Sequence, residues 1–174
     1  TKATVAVDSD DLDLSTDDIT FATVQDDGIK VTLKKVAEVA EEETTELEKD
    51  LKIEAAAGDF VQGQEFEIKV SSGFELRTPA TQKGTGYTIK QGDDDNKLIV
   101  AASSKTDTIT VDARDIIIDA ATAKSGAVAK LTVKAVKDST DPKTGKVTEV
   151  AGSFKATAEA VEAAKVVDQA VTLS

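Results

Sequence analysis

The chain has 174 residues, of which 40% are hydrophobic and only 3% aromatic, and its formal net charge is −12. This length suits a single well-packed domain whose core is built from Val, Ile, Leu and Ala. The negative charge disfavours nucleic acid and anionic membrane surfaces as partners, because both need a positive field, and no stretch reaches the roughly 20 apolar residues of a membrane helix.

The first segment of the chain alternates and is then acidic. Apolar and polar side chains alternate over residues 2–7, which is the period of a half-buried strand, and aspartates dominate residues 8–18. We predict an N-terminal strand with an acidic linker over 1–18, a β-sandwich domain over 19–165, and a C-terminal strand or tail over 166–174.

Strand patterns then follow one another along the chain. Residues 19–24 and 28–36 flank Asp27-Gly28, a dipeptide that tight hairpin turns prefer, so a hairpin is predicted there. Two further strands are predicted over 50–57 and 64–70, each with its apolar residues on one face.

Three more strand pairs are predicted in the second half. Residues 85–103 predict a hairpin with an acidic tip, residues 106–120 are expected to pair with 126–138, and the turn residues of 139–145 predict a last hairpin.

Two stretches rich in Ala, Glu and Lys are ambiguous between strand and helix. For 34–51 we favour a long hairpin with its tip at 41–46, because strand patterns enter it from both sides. For 156–167 strand and helix are equally supported. About nine strands without regularly alternating helices predict an all-β fold, an antiparallel β-sandwich or jelly roll, with these two stretches as the places for one or two short helices.

The residue types present limit the chemistry. The chain has no His and no Cys, which excludes Ser–His and Cys–His nucleophile pairs and the usual zinc, copper and iron–sulfur ligand sets, and we predict no catalytic residues. Calcium is the one cofactor that the composition favours, because it takes carboxylate oxygens in flexible geometry. The candidate ligands are Asp8, Asp10, Asp11, Asp13, Asp93, Asp94 and Asp95. None of these clusters fits a helix–loop–helix calcium loop, and solvated turns are the alternative interpretation.

The composition also indicates durability. Cys, Met, Trp and His are absent and Asn96 is the single asparagine, so few side chains can oxidise or deamidate. This trend is typical of proteins that withstand heat or long exposure outside a cell.

Three stretches resemble a known kind of protein. They are "GDFVQGQEFEIKVSSGFEL" (58–76), "RDIIIDAATAKSGAVAKLTVKA" (114–135) and "AKVVDQAVTLS" (164–174). Their pattern of strand and turn residues resembles that of the β-sandwich modules of secreted bacterial surface proteins, which are S-layer-like or fibre-forming subunits. The resemblance implies an extracellular structural role and repeated units.

Together these features predict a secreted structural protein whose partners are copies of itself. A terminal strand of one copy would add to the sheet of the next and so build a filament or surface lattice. The donor candidates are Ala3, Val5 and Val7 near one end of the chain and Val167, Val171 and Leu173 near the other. The alternative is a monomeric adhesion or ligand-binding module of a larger surface protein.

Overall fold

The computed structural model describes residues 28–136, 138–140, 147–150, 152 and 155–168. These residues form fifteen β-strands and one short 3-10 turn, and they contain no α-helix. The predicted all-β class is therefore confirmed, with more strands than the expected nine.

Most strands are short, and they follow one another with little intervening chain. Their bounds are β1 (Ile29–Thr32), β2 (Ala37–Val39), β3 (Thr44–Glu46), β4 (Leu51–Ala55), β5 (Glu65–Val70), β6 (Glu75–Arg77), β7 (Tyr87–Gln91), β8 (Lys97–Ala102), β9 (Thr108–Val111), β10 (Ile117–Asp119), β11 (Val128–Val136), β12 (Asp138–Thr140), β13 (Val147–Glu149), β14 (Ala156–Thr157) and β15 (Val161–Val166). The 3-10 turn spans Ala113–Asp115, between β9 and β10.

The larger sheet has the strand order β2-β15-β11-β5-β8-β7, and β14 also pairs with β11. The pairs are antiparallel except β2 with β15, which run parallel with Ala37 opposite Ala164. The long strand β11 alternates along its length, and its buried residues are Ala129, Leu131, Val133 and Ala135. One face of this sheet therefore packs on the core.

The remaining strands form two three-stranded ladders, β1-β4-β9 and β3-β10-β6. Strands β3 and β4 follow each other along the chain, and so do β9 and β10. Strand β3 pairs with β10, and β4 pairs with β9. The Leu47 N–H donates to the Ala113 carbonyl at 3.3 Å between the two ladders. The ladders are thus two halves of one antiparallel ribbon, which is interrupted at the 3-10 turn.

Buried side chains from both the larger sheet and the ribbon belong to one hydrophobic cluster. Its largest members include Phe60 and Phe66, whose rings meet edge to face with their centroids 4.8 Å apart. A single core between packed sheets is consistent with a β-sandwich.

The segment 34–51 differs from its predicted hairpin. Both halves are strands, so the helical alternative is wrong, but β2 pairs with β15 while β3 pairs with β10. The turn between them carries the chain from one sheet to the other, and Glu42 at this turn has φ 61° and donates its N–H to the Ala120 carbonyl. The hairpin prediction fails because the partners of both strands are distant in sequence.

The predicted pairing of 106–120 with 126–138 is also wrong. The first segment is split by the 3-10 turn into β9 and β10, which both belong to the ribbon, whereas β11 pairs with β5 and β15. Two other expectations, the β7–β8 hairpin and the β12–β13 hairpin, are confirmed. For 156–167, where strand and helix were equally supported, the structure has strands. The first strand of the hairpin predicted at Asp27-Gly28 lies outside the described residues.

Candidate functional site

A β-sandwich offers its edge strands to other chains, because their outer peptide groups lack a partner strand. Two edge strands keep core-facing apolar side chains partly exposed, β1 with Ile29 and Val31, and β7 with Ile89. The two edges differ in whether a side chain of the described residues bonds to their outer peptide groups.

The edge of β7 is closed by a side chain of its own chain. The Gln82 amide lies beside the strand, where its Oε1 accepts the Ile89 N–H at 3.2 Å and its Nε2 donates to the Tyr87 carbonyl at 2.8 Å. This amide reproduces the hydrogen bonds of a neighbouring strand. Strand addition at β7 would have to displace it.

The edge of β1 carries no such cover among the described residues. Its inner partner is β4, and the Gly28 carbonyl accepts the Ala56 N–H at 2.9 Å in the same ladder. Because antiparallel pairs alternate, Lys30 and Thr32 also bond towards β4, and the peptide groups of Ile29 and Val31 point to the outer side. No strand in the described part of the chain pairs with that side.

A lysine-lined depression lies on the outer face of the ribbon next to this edge. Thr32, Lys52 and Thr110 lie opposite one another across β1, β4 and β9. Among the described residues, its lining consists of Thr32, Lys34, Lys49, Asp50, Lys52 and Thr110. We call these six residues the lysine depression.

The charges of the lysine depression are unevenly paired. The Lys52 ammonium lies 3.5 Å from a Glu54 carboxylate oxygen, and the Asp50 carboxylate accepts the Ala113 N–H at 3.0 Å. Lys34 and Lys49 are exposed and take part in none of the ion pairs between described residues. Two cationic groups are therefore available beside the β1 edge of a strongly acidic protein.

A second polar cluster is buried around the Asp115 carboxylate. It accepts the backbone N–H groups of Lys83 at 2.6 Å and Gly84 at 2.9 Å and the Tyr87 hydroxyl at 2.5 Å. The Tyr87 hydroxyl in turn accepts the Asp112 N–H at 2.9 Å. These bonds join the loop before β7 to the 3-10 turn, and a Cβ atom at Gly84 would overlap the Tyr87 hydroxyl.

Two pKa values are shifted in this cluster. Burial and the hydrogen bond to Asp115 raise the pKa of Tyr87 well above its ordinary value. The side-chain and backbone hydrogen bonds of Arg114 lower the pKa of Asp112 from 3.8 to about 2. Because every bond in the cluster joins two parts of this chain, its role is to position the loop and the turn.

Three of the predicted calcium ligands lie within the described residues. Asp93, Asp94 and Asp95 are exposed at the tip of the β7–β8 hairpin, and Asp94 pairs with the Lys97 ammonium at 2.9 Å, which lowers the pKa of Asp94. Within the described ranges, no group of three or more acidic side chains is placed to hold a metal ion. The other candidates, Asp8, Asp10, Asp11 and Asp13, lie outside the described residues.

Among the donor-strand candidates, Val167 is described. It follows β15 directly, and its N–H donates to the Val39 carbonyl at 2.9 Å, so it belongs to the chain's own sheet. The other candidates, Ala3, Val5, Val7, Val171 and Leu173, lie outside the described residues. Neither the lysine depression nor the role of Asp115 was predicted from the sequence, although the run "KVTLKK" (30–35) contains two residues of the depression.

No protein-family model matches the sequence, and no curated protein matches it. No helix in the described part of the chain is long and apolar enough to span a membrane.

Proposed function

We propose that this protein is an extracellular structural subunit, without enzymatic activity, that builds a filament or surface lattice by strand addition at the β1 edge. One observation carries the proposal. The β1 edge presents outward peptide groups and partly exposed apolar side chains, whereas the β7 edge is closed by Gln82. A donor strand would satisfy the peptide groups and cover Ile29 and Val31.

The donor that fits best is the segment 2–7. Its alternation would direct Ala3, Val5 and Val7 towards the core and its polar residues towards solvent. The C-terminal alternative is less favourable because Val166 is fully buried in β15 and Val167 is bonded to β2, so donating them would break pairs within the subunit.

The proposal is tested by closing the edge while keeping the subunit folded. The Val31 N–H points away from β4, so Val31→Pro removes an outer donor without removing a bond of the β1–β4 ladder. Val31→Ala is the control, since it also replaces the branched Val side chain at this position but keeps the N–H. A variant lacking residues 1–8 removes the donor instead.

The readout is assembly followed by negative-stain electron microscopy and sedimentation, with calcium and with a chelator. We expect polymers from the full chain and from Val31→Ala, and folded monomers from Val31→Pro and from the truncated variant. A full chain that stays monomeric at every calcium level would overturn the proposal in favour of a monomeric adhesion module.

A further inference from the structure

The lysine depression has a complement within the same sequence. Its exposed ammonium groups, Lys34 and Lys49, lie beside the end of β1 in a protein with a net charge of −12. The aspartate-rich segment 8–18 directly follows the proposed donor strand. An added strand would therefore bring this acidic segment to one end of β1 or the other, depending on its direction.

We infer that the donor strand of one copy runs parallel to β1 of the next, so that its acidic segment docks on the lysine depression. This inference rests on the proposed function and adds the direction, the register and the partner surface. The occupant of the lysine depression is the segment 8–18 of a second copy.

The direction follows from matching the two alternations. In the parallel arrangement Val5 lies beside Val31 and Val7 beside Leu33, so that the apolar residues share the core side. The next residue, Asp8, then lies beside Lys34, on the outer face that holds the lysine depression.

The antiparallel arrangement would place like charges beside each other and the acidic segment far from the lysine depression. With Val5 again beside Val31, Lys2 would lie beside Lys34, and Asp8 would pass Gly28 at the opposite end of the strand. Like charges directly opposite each other destabilise a strand pair. The two arrangements cover the same apolar residues, so the lysine depression decides between them.

The first test reverses the charges of the lysine depression. The variant K34E/K49E is compared with K69E/K130E, which makes the same change in net charge at two exposed lysines that line a depression at β5 and β11 of the larger sheet. We expect K34E/K49E to raise the critical concentration for assembly about tenfold at low salt, and the control to leave it within about twofold. High salt should reduce the difference in critical concentration between K34E/K49E and the control, because exposed charges are screened.

A charge exchange tests the pair directly. Assembly weakened by K34E should be restored when the donor copy carries D8K, since the two charges are then opposite again. Equal assembly of wild type, K34E/K49E and K69E/K130E would overturn the inference while leaving strand addition intact. Absence of polymer from the wild-type chain would instead overturn the proposed function.

The direction is tested by disulfide trapping, which is clean because the chain has no cysteine. Chains with T4C or A6C are mixed with size-tagged chains that carry K30C or T32C, and oxidised. Neighbouring strands are about 4.8 Å apart, within the separation that a disulfide spans. The parallel register predicts links between 4 and 30 and between 6 and 32, whereas links between 4 and 32 and between 6 and 30 would overturn it.

Disulfide trapping also tests whether a segment of the same chain, and not of a second copy, pairs with the β1 edge. The hairpin predicted at Asp27-Gly28 would place Val24 beside Val31 of the same chain. An efficient link within monomers of the double variant V24C/V31C would show that the chain closes its own β1 edge, and would overturn the inference. Intact monomeric thiols, together with the links between copies described above, would support it.

Discussion

The replacement Asp115→Ala is expected to destabilise the protein strongly while leaving it folded. The carboxylate is fully buried and accepts three hydrogen bonds, from Lys83 N–H, Gly84 N–H and the Tyr87 hydroxyl. A stranded buried donor costs about 1–3 kcal/mol. The two backbone donors are only partly buried and can recruit water, so we expect a total loss of about 3–5 kcal/mol, within the 5–15 kcal/mol that a typical domain has.

The measurement is urea unfolding followed by far-ultraviolet circular dichroism. The control is Asp93→Ala, at an exposed position of the β7–β8 tip, which should change stability by less than about 0.5 kcal/mol. A double-mutant cycle with Tyr87→Phe should give a coupling of about 1–2 kcal/mol. A loss below about 1 kcal/mol for Asp115→Ala, or an absent coupling, would refute the view that this carboxylate holds the loop to the 3-10 turn.

Three further predictions concern stability. The pKa of Tyr87 is raised above its ordinary value of 10.0, so the folded state favours the protonated phenol. This contribution to stability is present below pH 10 and is lost as the pH rises further. In unfolding experiments at stepped alkaline pH, wild type should therefore lose stability more steeply than Tyr87→Phe. The pKa of Asp112, lowered from 3.8 to about 2, contributes stability above pH 4, so the advantage of wild type over Asp112→Asn should disappear between about pH 4 and pH 2 in the same assay. Phe60→Ala should cost about 3–5 kcal/mol in urea unfolding, because it removes a fully buried ring packed edge to face on Phe66, whereas an equal loss from Lys105→Ala at the exposed surface would contradict this reasoning.

The sequence predicted the features that are set by neighbouring residues. The β7–β8 hairpin follows from alternation on both sides of a polar tip, and the all-β class follows from repeated strand patterns without helical stretches between them. Turn residues also located the β12–β13 hairpin. Each of these signals lies within about twenty residues of the structure that it predicts.

Pairings between distant segments could not be predicted in this way. The 3-10 turn that divides β9 from β10 depends on Asp115, whose donors lie at residues 83–87. A lone aspartate in an alternating segment gives no sign of such partners. Likewise, β2 pairs in parallel with β15 near the other end of the described chain, and no local pattern distinguishes that arrangement from a hairpin.

The candidate site was predictable in part. The alternation of residues 2–7 and the acidity of 8–18 were visible in the sequence, whereas the edge that we propose as their partner was not. It depends on which outer peptide groups are covered, and the Gln82 amide that closes β7 does so from a loop with no distinctive sequence pattern. Lys34, Lys49 and Lys52 line one depression because β1, β4 and β9 lie side by side, and this pairing cannot be derived from the sequence.

The parallel pair of β2 and β15 has a consequence for how the chain folds. It joins Ala37 to Ala164, which is synthesised 127 residues later. The larger sheet therefore lacks its terminal strand pair until β15 has left the ribosome. Non-local pairing of this kind places folding in the slow range of β-proteins, from milliseconds to seconds. During that interval the alanines and valines of β2 and β15 can pair with the wrong strands, so rapid closure or chaperone protection is expected to govern the yield of native protein.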